Sequence, residues 1–448
     1  MSEVSTLTGH NPADRQLPEG WVEVELSGVV HSDPHSLAIG PFGSNLKVSD
    51  YRSSGVPLVF VRDIRARNFE LGDVFVDQSK AKELHAHVVR GADILVTKMG
   101  DPPGDVAIYP MTRQQAVITA DCIKITVDPT KVSNRYLSLV IESPDGANQI
   151  LEMTGGVAQQ KINLRKFRRF AVPLPPLAEQ ERIVEILEEQ LSHLDAALKS
   201  VRVVREKAAQ FRRSLLHAAF TGTLTGHNPA DGQLPEGWAS IPIGTLCSNG
   251  DFFDGDWVES KDQDPNGGVR LTQLADIGEG NFRNRSDRWL RDDQAEHLNV
   301  SFLQEGDLLI ARMPDPLGRC CALPKLEHQS VTVVDVAVLR IRSESILSTF
   351  VMWILNSPIV RRRMVELASG TTRQRISRKN LSTIELPIPP LAEQERAVEI
   401  LEGQLSRLDA ALAVADAIEK RSAALRRSLL HAAFTGRLTE KWRESVHV

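Results

Sequence analysis

Leu187, Leu191, Leu194, Leu198 and Val201 recur at alternating steps of four and three residues. That spacing puts a narrow apolar stripe on one face of a helix and is the pattern of a coiled-coil seam. After a three-residue step the series resumes at Val204, Ala208, Phe211 and Leu215. A second series follows the same rhythm at Leu401, Leu405, Leu408, Leu412, Ala415, Ile418, Ser422, Leu425 and Leu429. The pattern predicts two helices of about 43 residues, rods of roughly 60 Å, each with one stammer in its seam. Pro176 with Glu179 and Glu181 suits a helix start, and Gly222 and Gly436 stand where helix stops belong. A seam this long and this narrow calls for another helix, and the other copy is the expected partner.

The helices belong to a larger repeat. Residues 174–198 and 388–412 differ at four positions, and Arg212–Gly222 recurs as Arg426–Gly436, at an offset of 214 throughout. A segment rich in Gly, Asn and Pro, Thr6–Trp21, returns as Thr223–Trp238 with one change, and Phe434–Thr439 starts it again. The order is therefore cyclic: linker, variable region, helix, and round again. The expected division is an N-terminal linker segment over 1–20, a variable region over 21–173 and a helical region over 174–222. A linker over 223–237, a second variable region over 238–387, a helical region over 388–436 and a tail over 437–448 complete it. The variable regions alternate short apolar runs with Gly, Pro, Asn and Asp, which reads as strands and turns. Asp93–Met99 and Asp307–Met313 align as a buried strand that ends in a basic residue, Lys98 or Arg312. Each region thus reads as a mixed α/β domain of one shared fold, and the chain as α+β with a pseudo-two-fold internal repeat.

Composition narrows the class. A chain of 448 residues with 42% hydrophobic and 25% charged residues fits a soluble protein of two or more domains. No apolar run is long enough to span a membrane, and the N-terminal residues carry no secretion signal, so a cytoplasmic location is expected. Four cysteines, Cys122, Cys247, Cys320 and Cys321, give neither a disulfide framework nor zinc spacing. A net charge of −5 means that any surface for a polyanion must be local.

Such surfaces occur at matching places. Between Met153 and Pro176 stand Lys161, Arg165, Lys166, Arg168 and Arg169 with no acidic residue. Between Arg361 and Asn380 stand seven basic residues, Arg373 and Arg375 among them, against Glu366 alone. Both stretches carry a G-x-x-x-Q-x-I pattern, Gly156–Ile162 and Gly370–Ile376. Gln160 and Gln374 suit adenine, and Arg373 and Arg375 suit guanine, in a DNA major groove. Catalytic and metal patterns are weaker. Asp101-Pro102-Pro103-Gly104 lacks the aromatic residue of an adenine-methylating motif and reads as a turn. Glu259-Ser260-Lys261 with Asp251 and Asp254 imitates a nuclease pattern that the first half does not share. His85 and His87 have no partner ligands at metal spacing, so no metal site is expected.

Further residues carry a family resemblance. They are the paired Pro-Pro-Leu-Ala-Glu-Gln-Glu-Arg blocks from 175 and 389 and the Ala-Phe-Thr-Gly-x-Leu-Thr ends from 219 and 433. Gly40–Lys47 and Asp254–Asp262 belong with them. Together they resemble the specificity subunit of type I restriction–modification systems over essentially the whole chain. The resemblance implies two target-recognition domains, separated by two long helices in an antiparallel coiled coil. Each domain would read one half of a split, asymmetric sequence in double-stranded DNA. It implies a subunit with no catalysis and no bound cofactor of its own. Two modification subunits using S-adenosylmethionine would dock on it, with restriction subunits using ATP and Mg. Base-reading residues do not transfer within this family, so charge and position select the DNA candidates. These are Ser44, Asn45, Lys47, Lys98, Gln160, Lys161 and Arg165 in the first half, and Lys261, Arg312, Arg373, Gln374 and Arg375 in the second. The interface candidates are Leu187, Leu191, Leu194, Leu198, Leu401, Leu405, Leu408 and Leu412. A self-contained DNA-modifying enzyme, or a coiled-coil scaffold with two protein-binding lobes, are the alternatives. The missing cofactor and phosphate motifs count against the first and the paired basic stretches against the second.

Overall fold

The computed structural model describes residues 17–70, 73–155, 160–228, 233–247, 250–314, 316–370 and 373–446. They form two compact units, residues 17–200 with 417–446 and residues 201–416. The units do not follow the sequence halves, because each takes part of both long helices. Those helices are Leu177–Thr221 and Leu391–Phe434.

The first unit is built on two sheets. One orders Leu37–Ile39, Cys122–Ile125, Ile94–Thr97 and Val106–Ile108, all antiparallel. The other orders Phe75–Val76, Val56–Val59, Ala116–Ile118 and Val88–Val89, with parallel pairing between Val56–Val59 and Ala116–Ile118. Ile94–Thr97 is buried along its whole length because both of its faces are covered. Ile94 and Val96 join the cluster beneath the helices, and Leu95 joins the cluster on the opposite face. The second unit repeats this plan. It has one antiparallel sheet of Phe252–Asp254, Val336–Leu339, Leu308–Ala311 and Cys320–Ala322, and a three-stranded sheet centred on Val269–Thr272. The same alternation explains the adjacent cysteines. Cys320 packs on one face and Cys321 on the other, both buried. Burial pushes the Cys321 thiol up to about 12 and that of Cys320 well above its usual value, so both are unreactive.

Each unit pairs the start of one long helix with the end of the other, so the helices run antiparallel. In the first unit Ile183, Leu187 and Leu191 share a core with Leu430, Ala433 and Phe434. In the second, Leu215, Leu216 and Ala219 share one with Ala397, Val398, Leu401 and Leu405. Register is marked by ion pairs. Moving seven residues along the first helix, from Arg205 to Arg212, moves the partner seven residues back, from Asp416 to Asp409. In the first unit Arg426 meets Asp195, the same pair as Arg212 with Asp409 one repeat away.

These pairs correct the expected stammer. The buried positions continue through Val201, Ala208, Leu215 and Ala219, with Arg205 and Arg212 filling the intermediate steps. The four–three rhythm is unbroken, and it was hidden because two of its positions are arginines. Val204, Phe211, Ile418 and Leu425, expected in the seam, are exposed instead. Leu194, Leu198, Leu408 and Leu412 are half-buried, whereas Leu187, Leu191, Leu401 and Leu405 are core residues. Leu191→Ala and Leu405→Ala are each expected to cost about 2–5 kcal/mol, read from urea unfolding curves. Unchanged midpoints for both would show that the seam carries no stability.

The repeated Glu-Gln pair fastens each helix to its unit. Gln180 accepts from the Ser133 amide at 2.9 Å and donates to the carbonyls of Lys131 and Pro175. Gln394 does the same with Leu347, Ser345 and Pro389. The Glu393 carboxylate receives Trp238 Nε1 at 3.1 Å, the Thr225 hydroxyl and His227 Nε2 from the repeated segment Thr223–Trp238. Glu179 receives Trp21 Nε1 at 3.0 Å, and its other partners, Thr439 and Arg443, come from the C-terminal tail. Thr439 is the repeat of Thr225. Gly436 packs against Pro18 as Gly222 packs against Pro235, both glycines at positive φ. The tail thus stands in the first unit where the linker stands in the second, and the cyclic order closes in space. Among the described residues no helix is long and apolar enough to cross a membrane.

Candidate nucleic-acid interface

The basic residue after the buried strand is the centre of the candidate surface in each unit. The Lys98 amide donates to the Asp121 carbonyl at 2.7 Å, and the Lys98 carbonyl accepts from the Ile162 amide at 2.9 Å. The strand end is thereby tied to a hairpin of Thr154–Gly155 with Lys161–Ile162. Lys98 Nζ lies 5.8 Å from the centroid of Phe42, which brings in the loop that follows Leu37–Ile39. Three separate stretches of sequence therefore meet. They carry exposed Ser44, Asn45 and Lys47 from the loop, half-buried Lys98, and exposed Gln160 and Lys161 from the hairpin. Arg165 is exposed on the short helix Leu164–Phe167 that follows. Gly156 lies outside the described residues.

The second unit has the same construction with different chemistry. The Arg312 amide donates to the Asp335 carbonyl at 2.9 Å, and the Arg312 carbonyl accepts from the Ile376 amide at 3.1 Å. Ser369 and Arg375 bridge to form the corresponding hairpin turn, with Gly370 at positive φ. Arg373 and Gln374 are exposed there. The loop after Phe252–Asp254 supplies Lys261, exposed and held 2.6 Å from Glu259. That bond raises the Lys261 pKa and lowers that of Glu259.

Arg312 does not stand where a DNA contact needs it. Its side chain is 5% exposed, 2.9 Å from Asp254, and donates to the Val334 carbonyl. Desolvation disfavours its charge, with Asp254 offsetting the effect. Arg375 is also engaged, with Asp335 at 3.2 Å and the Val334 carbonyl at 3.1 Å, though it remains partly open. Sequence position made Arg312 and Lys98 equivalent. The difference lies in Asp254, which holds both Arg312 and Arg378. Of the candidate cations on the second surface, Lys261 and Arg373 are exposed and Arg375 is partly so. Two exposed rings, Phe42 and Trp257, stand in the same loops and within the segments that carry the resemblance, but not among the contact candidates; Gly40 and Gly255, two residues before them, were the available signal.

The other chemical patterns resolve into structural roles. Asp251 pairs with Arg342 and Asp254 with two arginines, so the carboxylates near Glu259 do not converge. His87 Nδ1 lies 2.7 Å from the Ile39 carbonyl, and burial lowers its pKa. Asp101–Gly104 is a bend, with Gly104 donating to the Thr97 carbonyl. Among the described residues no group of three or more His, Cys, Asp or Glu side chains is placed to hold a metal ion.

Comparison with known proteins places the chain in a family. The type I restriction modification DNA specificity domain matches residues 18–200 and again 238–413. The EcoKI specificity subunit of Escherichia coli K12 is 26% identical, over 96% of this chain and 91% of its own. The StySPI specificity subunit of Salmonella potsdam is 27% identical, with the same coverage of 96% and 91%. In fold, the chain resembles one solved in work on complex assembly and conformational transition of the type I R-M system. The TM-score is 0.68 at 20% identity, covering 94% of this chain and 99% of the other. It also resembles the HsdS subunit of Thermoanaerobacter tengcongensis, with TM-score 0.54, 20% identity and coverage of 94% and 98%. Two specificity domains, each ending in a long helix that pairs with the other, make this chain a member of the type I restriction–modification specificity subunit family.

Proposed function

We propose that the chain reads a bipartite, asymmetric sequence in double-stranded DNA, one half-site for each unit, and supplies recognition but no catalysis. The observation that carries this reading is the repeated surface. Loop, strand end and hairpin meet in both units through the same backbone bonds, at Lys98 and at Arg312. The side chains they present differ: Ser44, Asn45, Lys47, Gln160 and Lys161 in one, Lys261, Arg373 and Gln374 in the other. A shared frame with different polar groups suits two half-sites of different sequence, since phosphate contacts position the frame and base contacts specify. Modification subunits carrying S-adenosylmethionine act on the bound DNA in this reading, and ATP- and Mg-dependent restriction subunits join them, in the cytoplasm. Two modification subunits are assigned because the exposed apolar pair on the first long helix, Val204 and Phe211, recurs on the second as Ile418 and Leu425.

Replacing residues 21–173 with the equivalent region of another family member tests the reading. Methylation mapping of cells carrying the hybrid complex is expected to show one half of the modified sequence changed and the other retained. A hybrid that changes both halves together contradicts the assignment of one half-site to each unit.

A further inference from the structure

Phe42 and Trp257 are 69% and 70% exposed, more than any other Phe, Tyr or Trp among the described residues. Both rings stand two residues after a buried glycine, at the ends of the equivalent strands Leu37–Ile39 and Phe252–Asp254. A Cβ on Gly40 would lie 2.0 Å from the Thr119 carbonyl oxygen, and one on Gly255 2.3 Å from that of Val333. Only glycine lets the backbone press so closely, so each loop is anchored just before its ring. Beyond the ring a single turn of 3-10 helix anchors it again. Asp50 accepts from the Lys47 amide at 2.7 Å, and Asp262 from the Glu259 amide at 2.9 Å. These are loops fixed at both ends that hold a large apolar ring in water. Keeping such a ring out of the core forfeits its burial, twice, at one repeated position.

The surroundings indicate what covers the rings. Lys98 Nζ lies 5.8 Å from the Phe42 centroid, and Ser44, Asn45 and Lys47 follow along the loop. Trp257 Nε1 donates to Glu259 Oε1 at 3.4 Å, and the same carboxylate holds Lys261. An aromatic ring set beside short polar side chains and a cation matches a base edge, which offers apolar and hydrogen-bonding groups side by side. We infer that Phe42 and Trp257 are specificity-determining residues, each packing on the bases of its own half-site. The inference rests on the DNA-recognition reading above.

The test uses the chain assembled with its modification subunits and duplexes containing the mapped target. Each duplex is compared with a copy in which one half-site is scrambled. Phe42→Ala is expected to lower affinity for the intact target about ten- to a hundredfold and to leave affinity for the duplex scrambled in its own half-site unchanged. Trp257→Ala should do the same at the other half-site, and Phe42→Leu and Trp257→Phe should retain part of the discrimination. Thermal unfolding should not move, because both rings are exposed. Discrimination that survives Phe42→Ala and Trp257→Ala overturns the inference, as does an equal loss on intact and scrambled duplexes. Loss of modification-subunit binding would assign the rings to a protein contact instead and also overturn it. A wild-type complex that prefers no half-site would remove the DNA-recognition reading and this inference together.

Discussion

Glu179→Ala is expected to destabilise the first unit by about 3–5 kcal/mol, the cost of leaving a buried charge without its partner. Glu179 is 3% exposed and gathers Trp21 Nε1, the Thr439 hydroxyl and the Arg443 guanidinium. Truncation to alanine strands all three donors, and Arg443 is itself only 15% exposed. Glu393→Ala should cost the second unit less, about 1.5–3 kcal/mol, the range for hydrogen bonds to a charged group. Its carboxylate is 19% exposed and its partners are Trp238, Thr225 and His227, with no arginine among the described residues. Hydrogen exchange under mild urea, resolved by peptide, separates the two units. Loss of protection confined to residues 17–200 and 417–446 in Glu179→Ala is the expected pattern. Equal effects of the two substitutions would mean that the arginine contributes nothing. Ending the chain before Thr439 should mimic Glu179→Ala in kind, because it removes two of the same three donors.

The role of this glutamate marks where sequence reading stops. Its position near a helix start suggested a favourable charge on the helix dipole. In the structure it is a buried hub whose partner Trp21 lies 158 residues away. The helices and the basic stretches were legible because they depend on spacing within short windows, and the repeat because its copies are nearly identical over long blocks. The seam was legible without a break only as far as Val201, and past it only at Ala208 and Leu215. Beyond it, Arg205 and Arg212 occupy seam positions by reaching to Asp416 and Asp409, and an apolar pattern does not register arginines. The candidate interface was legible in outline for a similar reason. Lys98 and Gln160 are far apart in sequence, but each had a counterpart one repeat away. The burial of Arg312 was not legible, since it depends on Asp254, a residue from a different strand. The rings were not among the candidates because charge and position selected those and an aromatic ring carries no charge; only the fold shows that both stand in water.

Replacing Val204 and Phe211 with glutamate is expected to leave a complex with one modification subunit instead of two. Val204 is 42% and Phe211 45% exposed, seven residues apart and so on one face of the first long helix. Ile418 at 40% and Leu425 at 45% are their repeats on the second helix. All four sit beside the seam rather than in it, and the seam itself is filled by Val201, Ala208, Ala415 and Ser422. Apolar residues that a helix pair leaves exposed at two repeated positions suit two copies of one partner, each burying one patch. A glutamate pair at the centre of such a patch leaves charges buried and unpaired, and costs far more than the lost apolar area. Val204→Glu with Phe211→Glu should therefore abolish docking at one patch, and Ile418→Glu with Leu425→Glu at the other. Native mass spectrometry of the reconstituted complex reads the stoichiometry directly. Each double variant should give one modification subunit per chain, and the quadruple variant none, with thermal unfolding little changed because the substituted residues lie outside the core. Two modification subunits bound to the quadruple variant would place the docking surface elsewhere on the chain.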